Sequence, residues 1–493
     1  MPALVAIHPP SSFFAPHQAR TPMMELPLQF DCLFDDPTQA SAFAALLNDR
    51  PQELVEHLHR HCPEAEDDEW TYVESGPADA QGLRVMGDLV LHAYEHRVWR
   101  TMGAGLAALG ARRAKLMRKT LESAHPTGIV HLVDGTAVTP CMHALAGRRG
   151  EPLVAALWDD DVARLQALLS SSAATPGEAL CLAALRGAPH ALAALLALHG
   201  PLVNQPDAGG NTPLVNALLG GQVDAMRQLL AAGADVNATV HLTPALQELA
   251  AMEDAIQEPG DLWSQRALYR YVVEHALVAE GYSATEWALA QGQPEAAHLL
   301  LDHAPALCWA EGEDEASTLG TCIDGGTPEL LQRLLLRAVA EGRTEPAHEN
   351  WLDHAVYLRR FAMIDLLLAH GCDIDRPNEA GETPLHTAAM THFALQSNQG
   401  IEFLLSRGAQ VDSVDSEGKT PLMCAMRYIY EWNSARMQGL HWLLLAGAST
   451  KARDHEGHSV AWHAQEEGIP LKEVLALSKQ MRAQERAAQR GEG

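Results

Sequence analysis

The densest group of side chains able to do chemistry is HLHRHC, residues 57–62. On a helix His57 and His61 lie four apart on one face, which suits two zinc ligands. Nothing nearby completes the set. No Glu stands as it does in HExxH, and only Cys62 follows, past the expected helix end. With 25 His in the chain such a cluster arises easily, and a polar helix face accounts for it. Neither a metal nor a cofactor is expected. The chain has no GxSxG elbow, no P-loop and no Gly-rich dinucleotide fingerprint. Cys424, beside Met423, reads as a small side chain. The acidic run EDDEW at 66–70 reads as a solvated loop. The basic run of Arg112, Arg113, Lys115, Arg118 and Lys119 reads as an exposed helix face. The expectation is a protein that is not an enzyme.

Whole-chain totals bound what must position these residues. At 493 residues the chain is too long for one core, so it forms several domains or an elongated array. Aromatics make up only 5%, while Ala and Leu abound, a mix that favours closely packed helices over β-sandwiches. The formal charge of −28 repels nucleic acid and suits a protein partner, even a basic one. Lys is rare among the 35 basic residues, and this Arg bias with so much Ala points to a GC-rich, bacterial coding pattern. The eight Cys form no CxxC pair, so they read as buried hydrophobes in a reducing compartment. No window reaches the roughly 18 apolar residues of a membrane helix. The start MPALVAIHPPSSFFAPHQAR lacks the basic and long apolar parts of a signal peptide, so a cytoplasmic monomer is expected.

Internal repetition is the strongest signal. Residues 207–238 read DAGGNTPLVNALLGGQVDAMRQLLAAGADVNA; a second copy opens at Asn378 (NEAGETPLHTAAM), and a third at Asp415 (DSEGKTPLMCAM). Thr383 suits a helix N-cap, and Pro384 suits the first turn, where a missing N–H costs nothing. Leu385, Ala388 and Ala389 form a buried stripe, Leu404 and Leu405 another, and Gly408 ends the second helix. These copies resemble the ankyrin repeat. With the Thr position as ruler, weaker copies begin near Glu151, Glu178, Thr243, Ser283, Ser317, Asn350 and Ser459, several 33 or 34 apart. The resemblance implies an all-α ankyrin-repeat solenoid, helix-turn-helix units with short β-hairpin fingers, preceded by a divergent helical N-terminal region.

The expected layout is a disordered stretch at 1–30, a helical cap or domain at 31–150, the repeat array at 151–470, and a capping helix with a frayed tail at 471–493. Within 31–150, residues 63–80 read as an acidic loop. Inserts lengthen the units after Thr243, Thr383 and Thr420. By position, the resemblance makes finger tips and inner-helix residues the recognition surface. The set is Asn211, Asn216, Glu379, Glu382, Thr387, Ser416, Glu417, Lys419, His455 and His458, with Cys424 and His463 also on inner helices. Tyr428, Tyr430 and Trp432 of the last insert join them, since Tyr and Trp dominate binding hot spots. The expected function is a protein-binding scaffold or adaptor, with no nucleic acid and no membrane span. Two alternatives stand beside it: an immunity or inhibitor protein against a basic toxin, and a secreted effector that captures a host protein. A catalytic domain hidden in 31–150 is a further, weaker reading.

Overall fold

The computed structural model describes residues 24–62, 70–75, 79–93, 102–120, 123–241, 282–309, 317–342, 351–394, 399–426, 434–469, 471–472, 474–476 and 478–479. The chain divides into two compact units, Met1–Ala155 and Ala156–Gly493.

The first unit is built on an antiparallel sheet, which corrects both the all-α expectation and the helical reading of 31–150. Its strands are β1 (Met24–Phe34), β2 (Thr71–Ser75), β3 (Asp79–Gln81), β4 (Arg84–Ala93), β5 (Ala111–Thr120), β6 (Ser123–Val133) and β7 (Thr136–Val138). They run in the order β2-β4-β1-β5-β6-β7, with β3 also paired to β4. Strand β1 begins inside the stretch expected to be disordered, and β2 and β3 inside the one expected to be a loop. Leu28, Phe30, Cys32 and Phe34 alternate into the core, as a strand's period of two requires. Helices α1 (Pro37–Asp49) and α2 (Pro51–Arg60) contribute Phe43, Leu47, Leu54 and Leu58, and α3 (Gly103–Ala108) adds Leu106. The basic run lies on β5, not on a helix. Ala114 and Leu116 face the core while Arg113 and Lys115 lie half-buried on the other face. Helix α4 (Pro140–Gly147), capped by Thr139, packs on β6.

The second unit, whose first residue falls within the helix α5, is a succession of helix pairs. They are α5 (Pro152–Trp158) with α6 (Val162–Ser170), α7 (Pro176–Arg186) with α8 (Pro189–His199), and α9 (Pro213–Leu219) with α10 (Val223–Ala231). Next come α11 (Ala284–Ala290) with α12 (Pro294–Asp302), α13 (Thr318–Gly325) with α14 (Pro328–Ala340), and α15 (Trp351–Tyr357) with α16 (Phe361–Ala369). Last are α17 (Pro384–Ala394) with α18 (Gln399–Ser406), α19 (Pro421–Cys424) with α20 (Ser434–Ala446), and α21 (Val460–Glu466). Short segments within 471–479 are again helical and bury Val474 and Ser478.

Local chemistry explains six of these starts. The side chains of Thr175, Thr212, Ser283, Ser317, Thr420 and Ser459 each accept the N–H of the third helical residue, satisfying an orphan donor. Glu178, taken from sequence as a repeat start, is that third residue behind the true cap Thr175. First helices pack on first helices: α7 on α9, α11 on α13, α13 on α15, α15 on α17, α17 on α19 and α19 on α21. Buried Ala183, Ala217, Ala288 and Ala388 let them approach, and Leu195, Leu229, Leu300, Leu334, Leu367 and Leu404 fill the second row.

One neighbour relation differs from the sequence ruler. The α9–α10 pair packs directly on the α11–α12 pair, with Val240 N donating to Tyr282 O (2.8 Å) and Ala284 N to Ala238 O (2.9 Å). The structural step after Thr212 is therefore Ser283. Thr243, expected to open a repeat of its own, lies outside the described residues, as do Asn350 and the segment 395–398.

Candidate functional site

Among the described residues, four short fingers precede first helices: 207–211, 378–382, 415–419 and 454–458. Each opens on Asp or Asn with Gly three residues later, a spacing visible in the sequence whose purpose the structure supplies. The opening oxygen closes the finger on itself. Asp207 Oδ1 accepts from the N–H groups of Gly209 (2.8 Å) and Asn211 (3.1 Å). Asn378 Oδ1 accepts from Ala380 (3.0 Å) and Glu382 (2.9 Å). Asp415 Oδ1 accepts from Glu417 (2.9 Å) and Lys419 (2.8 Å), and Asp454 Oδ1 from Glu456 (3.1 Å) and His458 (2.8 Å). Such side chain-to-backbone turns favour Asp and Asn, whose short arms reach their own main chain.

The second oxygen ties the finger to its helix. Asp207 Oδ2 accepts from Asn216 Nδ2 (2.8 Å), and Asp454 Oδ2 bonds His463 Nε2 (2.8 Å). Cys424 Sγ stands 4.0 Å from Asp415 Oδ2. In the Asn378 finger the corresponding Thr387 hydrogen-bonds Asp353 of α15, a carboxyl held above its ordinary range by burial. Burial also tends to raise the Asp454 carboxyl, but the His458 N–H and the His463 imidazole outweigh it and hold the group low.

Fingers are joined to one another as well. Ser416 N donates to Ala380 O and His455 N to Glu417 O, both at 2.9 Å. Buried His386 accepts at Nδ1 from Thr383 N (3.1 Å) and Oγ1 (2.9 Å), and its Nε2 donates to Lys419 O (3.0 Å) in the next finger. Burial holds this imidazole below its ordinary range, so it is neutral and the tautomer follows from the partners. At the far end of the second helices, Asn204, Asn237, Asp375 and Asp412 accept the N–H groups of Asp235, Ala306, Gln410 and Ser449.

The expected recognition residues divide on this frame. Asn211, Asn216 and Thr387 are buried, at 0%, 5% and 7% exposure, so the reading of them as recognition surface is corrected. Asn211 Nδ2 donates to His241 O (3.0 Å) and its Oδ1 accepts from His241 N (2.8 Å), a link to the following segment. Cys424 is buried likewise; burial also pushes the thiol of Cys181, on α7, up to about 12. Glu379, Ser416, Glu417 and His455 are exposed; Glu382, Lys419 and His458 are half-buried, with Lys419 Nζ paired to Glu417. Tyr428, Tyr430 and Trp432 lie outside the described residues. Sequence reasoning passed over Asp207, Asn378, Asp415 and Asp454, and also Trp462, which is 40% exposed.

The imidazoles of His57, on α2, and His61, which caps its C-terminus, lie 4.4 Å apart and tilted by 35°, and each sits against a backbone carbonyl: His57 Nε2 at Gly105 O (3.1 Å), His61 Nδ1 at His57 O (2.8 Å). Among the described residues no group of three or more His, Cys, Asp or Glu is arranged to hold a metal ion. None of their helices is long and apolar enough to cross a membrane.

A family model described as "Ankyrin repeats (3 copies)" matches residues 153–240 and 352–454. Human (Homo sapiens) inversin is 28% identical over 210 residues, which cover 42% of this chain and 16% of inversin. The chain thus aligns with only a small part of that relative's length. A Bdellovibrio bacteriovorus structure, the predatory endopeptidase Bd0816 in complex with immunity protein Bd3460, matches at 20% identity with a TM-score of 0.31. That match covers 38% of this chain and 94% of the other, a likeness too slight to bear on fold or function. The matched residues, the Thr-capped helix pairs and the bonded fingers agree: residues 153–240 and 352–454 carry ankyrin repeats.

Proposed function

We propose that the chain is a binding scaffold that holds a basic protein partner against the fingers and adjoining first helices of its C-terminal repeats. One observation carries the reading. Acidic tips stand on fingers that are already pinned: the side chains of Glu417 and Glu456 are 64% and 80% exposed, yet the N–H of each is bonded within its finger, and Glu417 O accepts from His455 N of the next finger. A surface ordered before binding loses little entropy on contact, so more of the contact energy becomes affinity. The formal charge of −28 steers cationic partners toward it. Successive stacked pairs suit a solenoid with a concave finger side, the architecture implied by the repeats.

The test is affinity capture from the native host with wild-type protein and with Glu379→Lys, Glu382→Lys and Glu417→Lys combined. A partner bound by the wild type and lost from the triple variant supports the finger surface. Equal recovery by both places binding elsewhere. The identity of that partner, a toxin or a captured host protein, decides between inhibitor and effector roles.

A further inference from the structure

Fingers 415–419 and 454–458 each dock on the finger before them in one register, and 454–458 has no successor among the described residues. Three observations mark its outer edge as open. The carbonyl of Glu456 corresponds to those of Ala380 and Glu417, which accept N–H bonds at 2.9 Å; it receives none from a described residue. A Cβ added at Gly381 would meet Ser416 N at 2.7 Å, and one at Gly418 would meet His455 Cδ2 at 2.6 Å, whereas at Gly457 nothing lies within 4 Å. Trp462 occupies the helix position of His386 and Met423, which are 0% and 1% exposed beneath the next repeat, yet it keeps 40%. The segments at 471–479 bury Val474 and Ser478, while no described residue covers the finger edge.

We propose that this edge takes an extended, arginine-bearing segment of a partner protein, laid alongside 454–458 as one more finger. The backbone supplies the ladder through Glu456 O, in the manner of strand addition. Side chains specify arginine. Trp462 stacks on His458 at 3.6 Å and 11°, and the Glu456 carboxylate lies 3.2 Å from His458 Nδ1. Glu466, one helical turn from Trp462, is exposed. A flat aromatic stack beside two carboxylates fits a planar guanidinium, which stacks and bonds in two directions where an ammonium does neither as well.

The inference rests on the reading of the fingers as a recognition surface, and its test is separable from that reading. The full chain is titrated by calorimetry with a synthetic decapeptide of alternating valine and arginine, and with its citrulline counterpart, equal in shape but uncharged. The arginine peptide should bind at least about ten-fold tighter than the citrulline one. Trp462→Ala and Glu456→Gln should each weaken it by at least about ten-fold, with unchanged circular dichroism. Equal binding by wild type and Trp462→Ala overturns the proposal and leaves the Glu379, Glu382 and Glu417 surface standing. So does a dimer, seen in sedimentation, that Trp462→Ala dissolves, because a second copy is then the occupant. Binding that appears only when residues 480–493 are deleted names those residues as the occupant and also overturns it.

Discussion

Asp415 shows how much one carboxylate does in a finger. It gathers two N–H groups at 2.8–2.9 Å and is itself only 9% exposed. Replacing it with Ala strands those donors, and an unmade buried bond costs about 1–3 kcal/mol. Asp415→Ala should therefore lower the urea midpoint and speed amide exchange at Glu417 and Lys419, while Asp415→Asn, which keeps Oδ1, should lose much less. His441 makes a pH prediction of the same scale. Its Nδ1 lies 2.7 Å from Ser478 Oγ, and that hydroxyl donates to Val474 O, so Nδ1 carries the proton. Its Nε2 is buried without a partner among the described residues, and burial holds the imidazole below its ordinary value of 6.5. The unfolded chain thus binds the proton more readily than the folded one. Stability is full above 6.5 and falls as pH drops below it. Unfolding at about pH 7.5 and about pH 5.5 should show that loss, and His441→Phe should reduce it. His386, lowered by burial in the same sense, keeps a remainder. An unchanged loss in His441→Phe would remove His441 from the explanation.

Among the elements, legibility followed how many patterns a segment could satisfy. Thr383, Pro384, Leu385 and the Ala pair at 388–389 admit one reading, because cap, first-turn proline and buried stripe agree. The run ARRAKLMRKT of β5 admits two. Its basic residues at 112, 115 and 119 make a helical stripe, and Ala114 and Leu116 alternate with Arg113 and Lys115 as in a strand. Pairing with β1 and β6 decides, and such long-range contact is absent from a local window. The choice has a mutational signature. Leu116→Asp should unfold the first unit, since it places a charge in its core, whereas Lys115→Gln on the other face should move the melting temperature little. The candidate site was half legible for a related reason. The finger-closing residues advertise only turn propensity, so their second bonds to Asn216 and His463 appear only in three dimensions. Backbone strain adds another element-scale test. Ala304 has φ of 49° where Gly233 and Gly408 have 91° in other repeats. The left-handed region costs a non-glycine residue roughly 1–2 kcal/mol, partly offset by glycine's extra freedom when unfolded. Ala304→Gly should stabilise the chain by about 0.5–1 kcal/mol in urea titration.

At the scale of the molecule, the question is whether the stack of the second unit depends on everything threaded through it. The family model stops at residue 240 and resumes at 352, yet repeat geometry does not stop there. Thr239 and Ser283 form an antiparallel bridge, Ser283 and Glu286 make a capping box, and Ala306 N reaches back to Asn237 Oδ1 at 2.7 Å. The described residues stop at His241 and resume at Tyr282, whose carbonyl accepts from Val240 N. Residues 242–281 are thus bracketed by bonds that do not involve them. Loop-closure entropy grows only slowly with length, so exchanging 242–281 for about eight Gly and Ser residues changes it by only about 1 kcal/mol. The shortened chain should unfold as cooperatively as the parent, with amide protection at Ala284 and Ala306 preserved. If protection there is lost while Leu218 and Leu219 stay protected, the two helix pairs are held together through the excised segment, and the direct α9–α11 packing does not sustain the array. Preserved protection together with loss of a captured partner would instead assign the segment to binding, on a scaffold that folds without it.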